Sequence, residues 1–307
     1  MSRGTEKLFK ELHKFMDQHS VNEDTTEEEI NELIDQFMAQ YNAAPHFDVT
    51  EETAETSDDY VDLALDAEDD FTAAKHLKKA LALDPDNLDA ERLFAEYTCD
   101  DNIKLMAAFE KVIQHGQELM ADYLKDDVGD FYGILETRPY MRALYGYANL
   151  LLENGMIGLA EKTCREMIRL NHGDNLGARY LLMHIYAYFE DEESALELHR
   201  EYLENSTMML LPLSVLYYKK NDMSTAKKYL RKLLDVNKDT KKFFKIAANL
   251  GQTDPSDWPQ DGYLANSIQE YLVAYSENLY LYDTLEVYFT WADRALSKMR
   301  KSNKGRR

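Results

Sequence analysis

Alanine recurs at matched places in this chain. Ala73, Ala160, Ala195 and Ala226 share one local frame: an apolar segment of helical period, a short polar turn, the alanine, then a second apolar helix. The last three lie 35 and 31 residues apart, the length of a helix–turn–helix unit. Small residues let the two helices of a hairpin approach closely, and a hairpin with one apolar face must stack on a neighbour to bury it. The frame therefore predicts stacked helical hairpins. Composition agrees, because 12 Gly and 6 Pro are too few for a turn-rich β fold, and 45% apolar residues suffice for a core.

The clearest unit spans 54–87. Ala73 and Ala80 are its small contacts, Leu77, Leu81 and Leu83 its apolar stripe. Pro85 stops the helix, and Asp86 or Asn87 is placed to cap the next. A second unit, 141–174, sets Leu144, Tyr147, Ala148 and Leu151 on one helix, turns at Gly155, and faces them with Ala160, Cys164, Met167 and Leu170. The third, 176–206, carries Leu182, Met183, Tyr186, Ala195, His199 and Tyr202 around a turn, Glu190 to Glu193, without glycine. The fourth, 207–238, carries Leu210, Leu213, Tyr217, Ala226, Leu230, Leu233 and Val236, with Pro212 expected in the first turn of its first helix.

On these residues, above all the run Ala73 to Asn87, the chain resembles the tetratricopeptide repeat family over about half its length. His172 stands where that family usually has proline. More narrowly, Glu136 to Arg142 and Asn171 to Tyr180 resemble bacterial tetratricopeptide proteins distantly similar to the suppression of tumorigenicity 7 family, across roughly 130–295. The resemblance implies an all-α, right-handed α-solenoid that binds protein on its concave face, without catalytic residues. It does not extend to the carboxylate clamp of chaperone-binding members, because Tyr145 occupies the place of a clamp lysine.

Five segments are expected. Residues 1–53 read as an acidic helical hairpin and linker: Leu8, Phe9, Leu12, Phe15 and Met16 stripe one helix over 5–18, Ile30, Leu33, Ile34, Phe37, Met38 and Tyr41 the next over 27–42, and Thr26 with Glu29 forms a capping box. Residues 54–126 hold the first unit and two further helices, and 127–137, with Gly129 and Gly133, a hinge loop. Residues 138–300 form the repeat array, closed by a capping helix on which Leu285, Tyr288, Phe289, Ala292 and Leu296 share a stripe. Residues 301–307 read as a basic disordered tail.

Charge is segregated. Residues 1–137 carry 35 acids against 11 bases, and residues 138–307 carry 22 against 24. Between Lys14 and Lys75 there are 19 acids and no base, whereas 219–245 holds ten bases and three acids. The acidic half reads as a solubilising face or as a docking element for a basic partner, the 219–245 segment of another copy included. There is no apolar stretch of membrane-spanning length and no apolar leader at the N-terminus. Cys99 and Cys164 fall in different units with nothing to pair them, so the expected setting is a reducing cytoplasm.

No phosphate loop, zinc-protease helix or histidine–cysteine ligand spacing is present, so neither cofactor nor metal is expected, and no enzymatic activity. The expected functional surface is a groove along the first helices of the units. Its candidate residues are Arg138, Arg142, Tyr145, Asn149, Arg179, Tyr180, His184, Tyr188 and Tyr218, with Leu152, Leu211 and Val215 beside them. Tyrosine and arginine anchor interfaces, and the three arginines would give the groove a cationic end for a carboxylate. The function expected is a scaffold or adaptor for a protein or peptide. The alternative is an RNA- or ribosome-associated factor acting through 219–245 and the C-terminal tail.

Overall fold

A computed structural model describes residues 3–19, 25–43, 49–249, 255–259 and 262–299. The described residues form seventeen α-helices and no strand, so the chain is all-α. None of these helices is long and apolar enough to cross a membrane. The expected basic tail, 301–307, lies outside the described residues. The chain divides into two compact units, one of residues 1–99 with 132–140, the other of residues 100–131 with 141–307.

The first unit contains α1 (Arg3–Gln18), α2 (Glu27–Ala43), α3 (Ser57–Leu65), α4 (Asp70–Leu83) and α5 (Leu88–Thr98). The capping box expected before α2 is present: Thr26 N–H donates to Glu29 Oε2 at 2.9 Å and Glu29 N–H to Thr26 Oγ1 at 3.3 Å. A second box, Thr56 with Asp59, starts α3. Helices α3 and α4 form a hairpin whose core is Val61, Ala64, Ala73, Leu77 and Ala80, closed by Ala90 and Leu93 of α5. Lys7 and Lys10 of α1 pair with Asp59 and Asp58 of α3 at 2.9 and 2.6 Å.

The second unit holds α6 (Asn102–Leu119), α7 (Tyr123–Asp126) and most of α8 (Arg138–Glu153), followed by α9 (Ile157–Leu170), α10 (Ala178–Phe189), α11 (Glu192–Tyr202), α12 (Thr207–Lys219) and α13 (Met223–Val236). The alanine frame appears as one register. Ala73, Ala160, Ala195 and Ala226 are each the fourth residue of the second helix of a hairpin, and none is more than 1% exposed. Three of these helices begin on an aspartate, Asp69, Asp191 or Asp222, whose side chain accepts from the N–H three residues on. The turns before α9, α11 and α13 pass through a left-handed residue: Gly155, Glu190 and Asn221. At Glu190 this conformation is taken without glycine, a local strain that the two flanking helices hold in place.

The segment expected as a hinge is tied down at its start. Gly129 and Phe131 N–H groups donate to Leu170 O at 2.9 and 3.0 Å, and His172 N–H returns a bond to Gly129 O at 2.8 Å. Gly129 has φ +113°, and a Cβ there would meet the His172 ring at 3.0 Å. The histidine in the place of the usual proline thus packs on a glycine that leaves room for it.

The chain closes with α14 (Thr240–Ala248), a 3-10 turn at Pro255–Asp257, α15 (Ile268–Ser276), α16 (Leu279–Tyr282) and α17 (Glu286–Ser297). Tyr288, Phe289, Ala292 and Leu296 are buried, and α17 packs on α13 and α14 while α15 packs on α12. Consequently α12 is buried on every side, from Thr207 to Tyr217. Pro212 is the sixth residue of α12, not in its first turn. Its missing N–H is therefore lost inside the helix, and its buried ring packs among Leu211, Leu213 and their neighbours. Beside it lies a buried polar knot. Glu270, 2% exposed, accepts from Thr207 N–H at 3.0 Å, Thr207 Oγ1 at 2.8 Å and Asn266 N–H at 2.8 Å, so a carboxylate caps the N-terminus of α12.

Candidate functional site

Within the second unit, Tyr145 of α8 and Tyr180 of α10 line one cavity of about 330 Å³. Leu176, Gly177, Leu181, Met208 and Val273 form its apolar wall, and Pro259, Gly262 and Tyr263 approach from the segment before α15. Glu277 and Asn278, just after α15, complete it. The size suits one side chain or a small molecule, at the lower end of the usual range of roughly 300–1,000 Å³.

Gly177 is what brings Tyr180 to this wall. It adopts φ +82°, and a Cβ there would sit 2.9 Å from the Tyr180 ring. Tyr180 is then fixed from behind. Its hydroxyl donates to Glu204 at 2.8 Å and accepts from Arg179 Nη2 at 2.6 Å. Arg179 also reaches Glu204 through Nε at 2.9 Å and Asp174 through Nη1 at 2.9 Å. Asp174 in turn accepts the Ala178 and Arg179 N–H groups at the start of α10. Burial works against the charge on Glu204, yet hydrogen bonds, those from Tyr180 and Arg179 among them, outweigh it and lower its pKa. The guanidinium is thus shared between two carboxylates and does not line the cavity.

The charge that faces the cavity belongs to Glu277. Among the described residues its carboxylate has neither an ion-pair nor a hydrogen-bond partner. It reaches solvent at the rim, and the concave setting still strips enough water to raise its pKa. Burial first, and the Glu277 charge second, push the Tyr145 hydroxyl up to about 12. The Tyr263 hydroxyl is also raised, by burial first.

The remaining candidates are dispersed. Asn149 donates to Tyr145 O at 3.0 Å and so supports that wall from one turn away. Arg142 is half-buried on α8 and does not line the cavity. His184 is a core residue: fully buried, with Nδ1 2.7 Å from Tyr180 O and its ring edge-on to Tyr282. Tyr188 packs on Tyr280 with Lys219 Nζ over its ring, and Tyr218 on Tyr288 and Trp291. Leu152, Leu211 and Val215, expected beside the groove, are buried. Arg138 belongs to the first unit, where it is buried, donates to Tyr132 O at 2.9 Å and lies 3.6 Å from Glu6.

Sequence reasoning missed Tyr263, Glu277 and Asn278. The available signal was Glu277, an acid in a segment otherwise dense in tyrosine, Tyr271, Tyr275, Tyr280 and Tyr282. Among the described residues no cluster of three or more His, Cys, Asp or Glu side chains is placed to hold a metal ion. Comparison with protein-family models finds no match, and comparison with curated proteins finds none either.

Proposed function

We propose that this chain is a tetratricopeptide-like, right-handed helical-repeat scaffold that binds a protein or peptide without acting as an enzyme. The shared alanine register of four hairpins supports the repeat reading. The observation that carries the binding reading is the cavity walled by Tyr145, Tyr180 and Tyr263 with the unpaired Glu277 at its rim. Tyr180 is held by Glu204 and Arg179 before binding, so little of its ordering entropy is lost.

The chemistry of the pocket selects the ligand. Arg179 is neutralised, so a carboxylate has no cation to meet there. A lysine or arginine side chain instead lays its aliphatic stem on Leu181, Met208 and Val273, faces aromatic rings, and brings its charge to Glu277. The test is selection of displayed random peptides on the immobilised chain, followed by binding of the enriched peptides to wild type, Tyr263→Ala and Glu277→Lys. Enriched peptides should share a basic residue flanked by apolar ones and weaken at least about tenfold on Glu277→Lys, with thermal stability unchanged. Failure to enrich, or equal affinity for Glu277→Lys, would refute the reading.

A further inference from the structure

The chain carries 57 acids and 35 bases, and many cations find an acid, as Lys7, Arg92, Arg165, Arg169, Arg179, Lys220 and Lys242 do. Four that do not are gathered in one place. Lys227 and Arg231 of α13, one turn apart, and Arg294 and Lys298 at the end of α17, one turn apart, surround a cavity of about 370 Å³. Among the described residues no carboxylate lines it, and none of the four side chains has an ion-pair or hydrogen-bond partner. Lys241 adds charge nearby, its ammonium 2.8 Å from the carbonyl of Met299, itself in the lining. Gathering like charges costs free energy.

The floor is not charged. Trp291 lies on the same face of α17 as Arg294, Ala295 and Lys298, and Ala295 and Met299 extend the apolar surface. The indole is half-buried and fixed by Tyr218 and Tyr288, with centroids 5.1 and 6.1 Å away. It presents a fixed aromatic surface beside four cations. Arginine forks and lysine ammonium groups suit phosphate oxygens, and a fixed indole suits a planar ring. Magnesium-bound phosphates call for carboxylates to share the metal, and among the described residues this cavity has none.

We propose that the cavity between α13 and α17 binds a small organic polyphosphate, a nucleoside triphosphate without its metal, with phosphates on Lys227, Arg231, Arg294 and Lys298 and the base against Trp291. The proposal is independent of the tyrosine-lined cavity, which shares none of its lining residues.

The test is calorimetric titration of the full chain with ATP, tripolyphosphate and adenosine in the presence of EDTA. Indole fluorescence of a Trp258→Phe variant, in which Trp291 is the only tryptophan, follows the same titrations. ATP should bind at one site more tightly than tripolyphosphate, and adenosine should fail to saturate. Arg231→Gln with Arg294→Gln should weaken ATP at least about tenfold while helical content is unchanged. Lys228→Gln with Lys232→Gln removes the same charge from α13 outside the lining and should change affinity less than about twofold. Absence of saturable ATP binding, equal affinity for tripolyphosphate, or equal losses in the two double variants overturns the proposal. Binding of a single-stranded oligoribonucleotide without binding of ATP overturns it in favour of a nucleic-acid surface.

Discussion

His184 makes the stability of the second unit pH-dependent in a direction fixed by its burial. The imidazole is fully buried, its Nδ1 sits 2.7 Å from the Tyr180 carbonyl, its ring edge meets Tyr282, and among the described residues Nε2 has no partner. Burial depresses its pKa from 6.5 to about 4. An unfolded imidazole takes a proton below about pH 6.5 that the folded one refuses until about pH 4, so stability is complete above pH 6.5 and declines as pH falls through that window. Linkage gives about 1.4 kcal/mol lost at pH 5.5 and roughly 3 kcal/mol by pH 4. Urea unfolding at intervals from pH 7.5 to 5 should show this loss in the wild type and not in His184→Gln, which cannot titrate. Acids that titrate in the same range do so in both proteins and cancel in the difference. Parallel pH profiles for the two proteins would refute the assignment of His184 as a neutral core residue.

The alanine register should resist enlargement: Ala226→Leu overpacks a residue that is fully enclosed and should cost about 1–3 kcal/mol in urea unfolding, whereas exposed Glu197→Leu should stay within about 0.5 kcal/mol. Glu270→Ala leaves the Thr207 N–H group and hydroxyl buried without their acceptor, and should cost about 3 kcal/mol or more; Glu270→Gln keeps one acceptor and should cost less. Cys164 is fully enclosed with a thiol pKa raised by burial, while Cys99 is half-exposed, so a thiol reagent in native buffer should modify Cys99 alone and reach Cys164 only on unfolding. Equal labelling rates would contradict that placement.

What could be read in advance was what is local. Apolar period, the Thr26–Glu29 box and the alanine frame all act within a few turns of helix, and helices formed where those signals placed them. Pro212 was misplaced by two residues or more because an all-apolar run such as Met208 to Tyr218 has no polar face to set its boundary. The site depended on distance in sequence. Arg179 pairs with Glu204, 25 residues away, and no spacing rule announces such a pair. Glu277 reaches Tyr145 only because the chain after α14 returns to the repeat helices. The basic 219–245 segment was visible as a count of charges. Lys227 and Arg231 acquire meaning from Arg294 and Lys298, whose own one-turn spacing was present in the sequence but fell in the segment read as a capping helix.

That return of the C-terminal segment changes what the repeat array can hold. An open groove lined by Arg142, Tyr145, Arg179 and Tyr180 would accept an extended segment and favour a carboxylate at its cationic end. With α15 against α12 and Tyr263 and Glu277 at the rim, the accessible space becomes a pocket for one side chain. A ligand carboxylate placed there would stand beside Glu277 while Arg179 remained held by Asp174 and Glu204. Two like charges about 4 Å apart repel by about 4 kcal/mol near a protein surface, a penalty of nearly a thousandfold in affinity. A basic side chain reverses the sign of that interaction. The same segment that closes the groove therefore also reverses its charge preference, and Glu277→Lys should convert the pocket from basic peptides to acidic ones without touching any residue of the hairpins themselves.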